Sequence, residues 1–190
     1  LHITQAGSGM FHDEFPQMPG AVAHGFQIWI NHAEQHRLIT PMSFHASAKE
    51  VPEVITEDYT VRVLHGRFGP QQAKHRMVTE VTLLHIFLQP YAAIQLDADE
   101  MAFVYGLSGS GLAGMEKIGA QMLANFDATG NSITIKADSV GFELMFASGT
   151  PLKEQITYGG PFVMTTPEQM TKTKRRHALG EMGTLEPYRG

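Results

Sequence analysis

Val81-Thr82-Leu83-Leu84-His85-Ile86-Phe87-Leu88 decides how this chain is read. Eight residues dominated by β-branched, aromatic and aliphatic side chains suit a half-buried strand better than a helix. The same texture recurs on both sides. Upstream lie Leu1–Gln5, Phe26–Ile30 and Thr60–His65; downstream lie Met101–Leu107, Ser132–Ala137 and Phe142–Ala147. Glycine, proline and polar clusters separate these runs. Asp127-Ala128-Thr129-Gly130-Asn131 and Ser148-Gly149 supply residues that tolerate turn conformations. Many short strands at such spacing indicate an all-β sandwich or barrel.

One helix interrupts the pattern. Thr166-Pro167-Glu168-Gln169 sets an N-cap hydroxyl, a proline at the first helical position and a glutamine that reaches back to the cap. The helix is expected over about 167–177, stopping near Gly180. Lys172, Lys174, Arg175 and Arg176 fall in its later turns, where cations meet the negative end of the dipole, so this basic run reads as a solvated helix end. Residues 46–58 combine a proline, alternating charges and little periodicity, which suits a linker. The expected organisation is therefore 1–48, a linker over 49–58, and a longer strand-rich part over 59–190.

Composition narrows the chemistry. The 190 residues contain no cysteine, which excludes disulfide frameworks, cysteine zinc modules, iron–sulfur clusters and thiol catalysis, and leaves histidines and carboxylates as the strong metal ligands. A net charge of −5 argues against direct nucleic-acid binding, which depends on clustered Lys and Arg. No 18-residue apolar run is present, so no membrane span is expected, and neither is a signal peptide; a cytoplasmic location fits the absence of cysteine.

The best chemical cluster is Gly7-Ser8-Gly9-Met10-Phe11-His12-Asp13-Glu14. In an extended segment, His12 and Glu14 point to one face and Asp13 to the other. An imidazole and a carboxylate so placed are half of a mixed nitrogen and oxygen site of the kind that takes Fe(II), Mn(II), Ni(II) or Zn(II). Two polar residues on a surface strand are the plainer reading. His24, His65, His75 and His85 stand apart from one another and read as hydrogen-bonded structural side chains; His32 and His36 are the runner-up pair, sharing a face if that stretch is helical. Gly106-Leu107-Ser108-Gly109-Ser110-Gly111 lacks the Lys-Ser/Thr of a phosphate loop and reads as a turn between strands. The eleven methionines are scattered, which fits core filling.

Several separated stretches resemble one family, the pirins, two-domain members of the cupin superfamily. They are Thr4–Glu14, His24–Asn31, Val61–Gly66, Ala102–Tyr105, Gly149–Leu152 and Tyr158–Thr166, in the family's order. The resemblance implies tandem cupin-type β-sandwich barrels with a short C-terminal helix, the first barrel holding one iron through three His and one Glu. A His-x-Glu in that set maps onto His12 and Glu14. The family's other two His ligands come from a His-x-His several strands earlier, expected here before Leu1, because no His-x-His occurs in the 190 residues. The first barrel as given is thus incomplete. Such a remnant would expose apolar interior and unpaired edges, so Leu1 is not expected to be the biological start.

The implied function is an Fe(II)-dependent dioxygenase of the quercetin 2,3-dioxygenase type, opening a flavonol-like small molecule with O2. His12 would hold the metal and Glu14 would move between ligation and proton transfer. The alternative is a non-catalytic, metal- and redox-sensitive regulator acting through a protein partner; a third reading is a cupin that holds no metal. Tyr91–Gly111 contains no His, so the second barrel is expected to be metal-free.

Overall fold

The computed structural model describes residues 1–14, 18, 20–22, 25–126 and 129–186. His24, and Asp127 and Ala128 of the expected turn, lie outside the described residues. In chain order the elements are β1 (His2–Gln5), a 3-10 turn (Glu34–His36), β2 (Met42–His45), a 3-10 turn (Ala48–Glu50), β3 (Glu53–Ile55), β4 (Tyr59–His65), β5 (Arg67–Phe68), β6 (Gln71–Gln72), β7 (Val81–Leu88), β8 (Ala93–Asp97), β9 (Met101–Ala113), β10 (Glu116–Gly119), β11 (Leu123–Phe126), β12 (Ser132–Gly149), β13 (Thr157–Gly159), β14 (Phe162–Met164) and α1 (Pro167–Ala178). The fold is all-β, a cupin-like sandwich with one short C-terminal helix.

Two compact units are present. The first comprises Leu1–His2 and Phe44–Pro151, the second Ile3–Ser43 and Leu152–Gly190.

The first unit is organised by an eight-stranded sheet in the order β10-β9-β12-β7-β4-β3, with β11 also on β9 and β8 also on β12. Its partners are antiparallel throughout. Strand β12 carries a register shift. Its first half buries Ile133, Ile135 and Ala137; its second half buries Phe142, Leu144 and Phe146. The inward parity changes from odd to even because the register with β9 shifts between Ala137 and Phe142. A one-residue slip would otherwise turn every side chain to the wrong face. Both halves feed one core, shared with Val61 and Val63 of β4, Leu84, Ile86 and Leu88 of β7, Ile94 and Leu96 of β8, and Val104 of β9.

Strand β9 corrects one expectation. The stretch Gly106–Gly111 is not a turn between strands but the middle of a thirteen-residue strand. Its glycines serve close backbone approach: a Cβ on Gly106 would stand 2.0 Å from Gly119 O, and one on Gly109, at φ +72°, 2.2 Å from Gly141 O. Glycine in a strand interior that bulges and meets another backbone has this role.

Two further expectations change. Phe26–Ile30 forms no strand among the described residues, and Phe26 and Trp29 are exposed. Apolar alternation is a local property, whereas a strand exists only when another backbone supplies its hydrogen bonds. Within 49–58, read as linker, Glu53–Ile55 is strand β3, paired with Thr60–Arg62. The helix occupies Pro167–Ala178 with its capping box: Gln169 N donates to Thr166 Oγ1 at 3.2 Å, and Thr166 N donates to Gln169 Oε1 at 3.2 Å. Gly180, at φ +74°, follows its C-cap. No helix among the described residues is long and apolar enough to cross a membrane.

Candidate functional site

The candidate metal ligands lie in the second unit, in the segment that follows β1. A turn precedes them, closed by Gly9 N donating to Ala6 O at 2.8 Å, while Ser8 N donates to Ile39 O at 2.8 Å. Gly9 has φ +114°, a backbone conformation that L side chains rarely adopt, and a Cβ there would also displace the Met182 side chain, whose Cγ and Sδ would stand at 2.6 Å. From the C-terminal side, Arg176 Nη1 donates to Ser8 O at 2.9 Å. The His177 ring lies 5.5 Å from Phe11 and 5.5 Å from Phe162, bracketed by the two aromatics. Residues more than 160 positions away therefore hold the backbone that presents His12 and Glu14. Arg176, read from sequence only as part of a solvated helix end, and His177, read only as the last residue of the helix, supply these ties. Such contacts leave no periodic signal in a sequence.

His12 Nδ1 stands 3.8 Å from Glu14 Oε1, with the side chains 37% and 59% exposed. The segment is not in a strand, yet the imidazole and carboxylate converge. One nitrogen and one oxygen donor at this spacing, open to solvent, fit two positions of a mixed site for a divalent first-row metal. Among the described residues no group of three His, Asp or Glu side chains is placed to hold an ion.

The remaining histidines occupy varied settings. The runner-up pair, His32 and His36, does not share a helix face, because the 3-10 turn covers only Glu34–His36. His36 contacts Gln35 Nε2 at 3.2 Å. Burial, then the nearby His36 and Arg37, hold the His32 imidazole below its ordinary pKa. His65 is a structural histidine: it is 4% exposed, its Nδ1 lies 2.8 Å from Val81 O, and Met77 N–H donates to its Nε2 at 3.0 Å. These partners assign the neutral tautomer with the proton on Nδ1. Burial lowers its pKa, only partly offset by the Val81 carbonyl. His85 pairs with Glu143 Oε1 at 2.9 Å, and Ser108 Oγ donates to Glu143 Oε2 at 2.9 Å.

One buried polar residue carries no signature in the sequence. Arg37 is 6% exposed and ties the second unit together. Its Nη2 donates to His32 O at 2.8 Å, Glu154 Oε2 at 3.0 Å and Asn31 Oδ1 at 3.3 Å, and its Nη1 donates to Thr165 Oγ1. Glu154 also accepts from Glu34 N at 3.1 Å. A buried guanidinium is stable only when paired and hydrogen-bonded in this way.

Comparison with known proteins agrees with this architecture. A family model described as the Pirin C-terminal cupin domain matches residues 83–183. A pirin-like protein of Arabidopsis thaliana is 26% identical over 193 residues, covering 91% of this chain and 60% of that protein. A Pseudomonas aeruginosa protein carrying a provisional quercetin 2,3-dioxygenase name is 26% identical over 186 residues, covering 92% of this chain and 65% of that protein. The crystal structure of a quercetin 2,3-dioxygenase from Acinetobacter baumannii superimposes with a TM-score of 0.76 at 18% identity, over 83% of this chain and 56% of that one. The chain spans about 60% of the length of the curated relatives it matches.

Proposed function

This chain belongs to the pirin family, and from that premise we propose that it is part of a metal-binding pirin-like cupin that acts as a dioxygenase of the quercetin 2,3-dioxygenase type. The observation that carries the reading is the convergence of His12 Nδ1 and Glu14 Oε1 to 3.8 Å. These two residues are two ligands of a single ion, Fe(II), and the remaining histidine ligands come from sequence outside these 190 residues. When bound, such an ion supplies Lewis acidity and one-electron redox chemistry toward O2.

The chain's own residues do the rest. His12 remains a nitrogen donor throughout. Glu14, the more exposed of the pair, accepts the hydroxyl proton of a flavonol-like substrate at its carboxylate. Arg176, Phe11 and His177 fix the approach of the ligand segment, because a misplacement of about 1 Å at a catalytic group costs on the order of a hundredfold in rate. The names of the Pseudomonas and Acinetobacter proteins supply the substrate class.

The test is elemental analysis after anaerobic loading with Fe(II), followed by flavonol absorbance under O2, on protein that includes these 190 residues. One iron per chain and loss of the flavonol band are expected, with His12→Ala losing iron and Glu14→Gln losing turnover. Iron retained without turnover would favour a metal-sensitive partner-binding protein, for which the net charge of −5 suits a protein surface over DNA. Iron binding unaffected by either substitution would refute the ligand assignment.

A further inference from the structure

Strands β1 and β2 form a two-stranded sheet whose register two hydrogen bonds define. The Leu1 nitrogen donates to Ala46 O at 2.8 Å, and the Ala46 N–H donates to Leu1 O at 2.9 Å. Leu1 and Ala46 thus exchange both bonds, the mark of a hydrogen-bonded antiparallel pair. His2 and His45, one step along, form the next pair, which makes no bonds across the ladder. That pair type brings side chains closest, with Cβ atoms about 4.5–5.5 Å apart. Both histidines belong to the first unit and both are exposed. Their ring centroids are 6.2 Å apart at an interplanar angle of 75°.

We propose that His2 and His45 form a bidentate site for a divalent transition-metal ion of the Cu(II), Ni(II) or Zn(II) class, separate from the His12 and Glu14 pair and independent of the function proposed for it. The geometry can be checked by construction. With metal–nitrogen distances of about 2.0–2.1 Å, each ring centroid stands about 3.2 Å from the ion, so two imidazoles on one ion have centroids about 4.5 Å apart at a right-angle bite and about 6.4 Å apart when opposed. The observed 6.2 Å lies near the opposed end of that span, and a turn of the two exposed rings toward each other by about 1–2 Å between centroids brings them to the tetrahedral or right-angle bite. The steep angle between the planes keeps the rings from stacking face to face.

The donor set selects the metal. Imidazole donors suit late first-row ions, whereas Mg(II) and Ca(II) require oxygen ligands. Glu50 Oε2 accepts from Ser47 N at 2.8 Å and from Ser47 Oγ at 2.7 Å, so that oxygen is engaged in the cap of the 3-10 turn that follows β2. His75 is also elsewhere, stacked at 4.6 Å on Phe44, the residue before His45 and so on the opposite face of the strand. Because the site exists only while β1 and β2 are paired, an ion bound there clips a two-stranded sheet that would be marginal alone. Strand β1 runs directly into the turn that precedes His12 and Glu14.

The experiment is titration of the untagged protein with Ni(II) and Cu(II) by calorimetry, with electron paramagnetic resonance of the copper form. It is run on the wild type and in a His12→Ala/Glu14→Gln background, which removes the other pair. Binding in that background is expected, with two nitrogen couplings on copper, and His2→Asn or His45→Asn should each weaken it at least tenfold. His75→Asn should leave it unchanged. Affinity insensitive to His2→Asn and His45→Asn, a single nitrogen coupling, or loss of all binding in the His12→Ala/Glu14→Gln background would overturn the site.

Discussion

In the first unit the buried apolar side chains are overwhelmingly Val, Leu, Ile, Ala and Phe on sheet strands, whereas in the second, among the described residues, they are Met164, Met170 and Met182. The second unit compensates with polar ties: Arg37 to Asn31, His32, Glu154 and Thr165; Arg176 to Ser8; and Gln169 Nε2 to Glu34 Oε1 at 2.6 Å. β-branched side chains have few rotamers and pack one way, while methionine fills irregular space and tolerates adjustment. The rigid unit is thus specified by shape and the adaptable one by hydrogen-bond geometry. The candidate metal ligands sit in the adaptable one.

This contrast can be broken by experiment. The single tryptophan, Trp29, lies in the second unit, so its fluorescence reports there, while far-ultraviolet circular dichroism is dominated by the first unit's strands. The largest effect is expected from Phe146→Ala, which empties a fully buried core position and should cost about 3–5 kcal/mol in the dichroism transition. A smaller value would mean that the core closes over the gap and is not rigid. Next comes Arg37→Met, expected to cost about 1–3 kcal/mol through the acceptors it leaves unpaired, and to move the fluorescence transition more than the dichroism one. Equal shifts by both probes would show that the two units unfold as one. Thr166→Ala removes the helix cap and should cost about 1 kcal/mol, again in the fluorescence transition.

The smallest effect is a pH dependence of the first unit. The folded-state pKa of His65 lies below its ordinary value of 6.5 because burial disfavours the imidazolium. Above 6.5 the histidine is neutral whether folded or unfolded, and its contribution to stability is fully present. As pH falls below 6.5 the unfolded chain takes up a proton that the folded chain refuses, so stability declines until the folded pKa is reached. Melting curves from pH 7.5 to 5 should show this decline in the wild type and a flatter profile in His65→Gln. The same slope in both would remove His65 as the cause.

Much of the architecture is legible in the order of the residues. Val81–Leu88 is strand β7 residue for residue, and Thr166 and Gln169 form the capping box expected of them, because alternation and caps are written in neighbouring residues. Gly106–Gly111 reads as a turn because glycine serves turns and close strand contacts equally, and only the approach of Gly119 and Gly141 tells them apart. The Phe26–Ile30 run has strand composition, yet no described strand pairs with it. At the site, His12 and Glu14 stand out by residue type and spacing alone. Nothing local points to Arg176, His177 or Met182 as their support, or to Arg37 as the centre of its unit.

By itself, then, the sequence determined the all-β class, the capped helix, the donor types open to metal chemistry and the family whose segments it shares. All of these rest on residue identity and short-range periodicity, which a linear chain carries in full. It took the folded molecule to show which glycines meet another backbone, which side of β12 faces the core on either side of its register shift, that His2 stands opposite His45, and that the end of α1 holds the turn before His12. Each of these depends on register and on contacts between residues tens to more than a hundred positions apart, and such contacts exist only once the chain has folded.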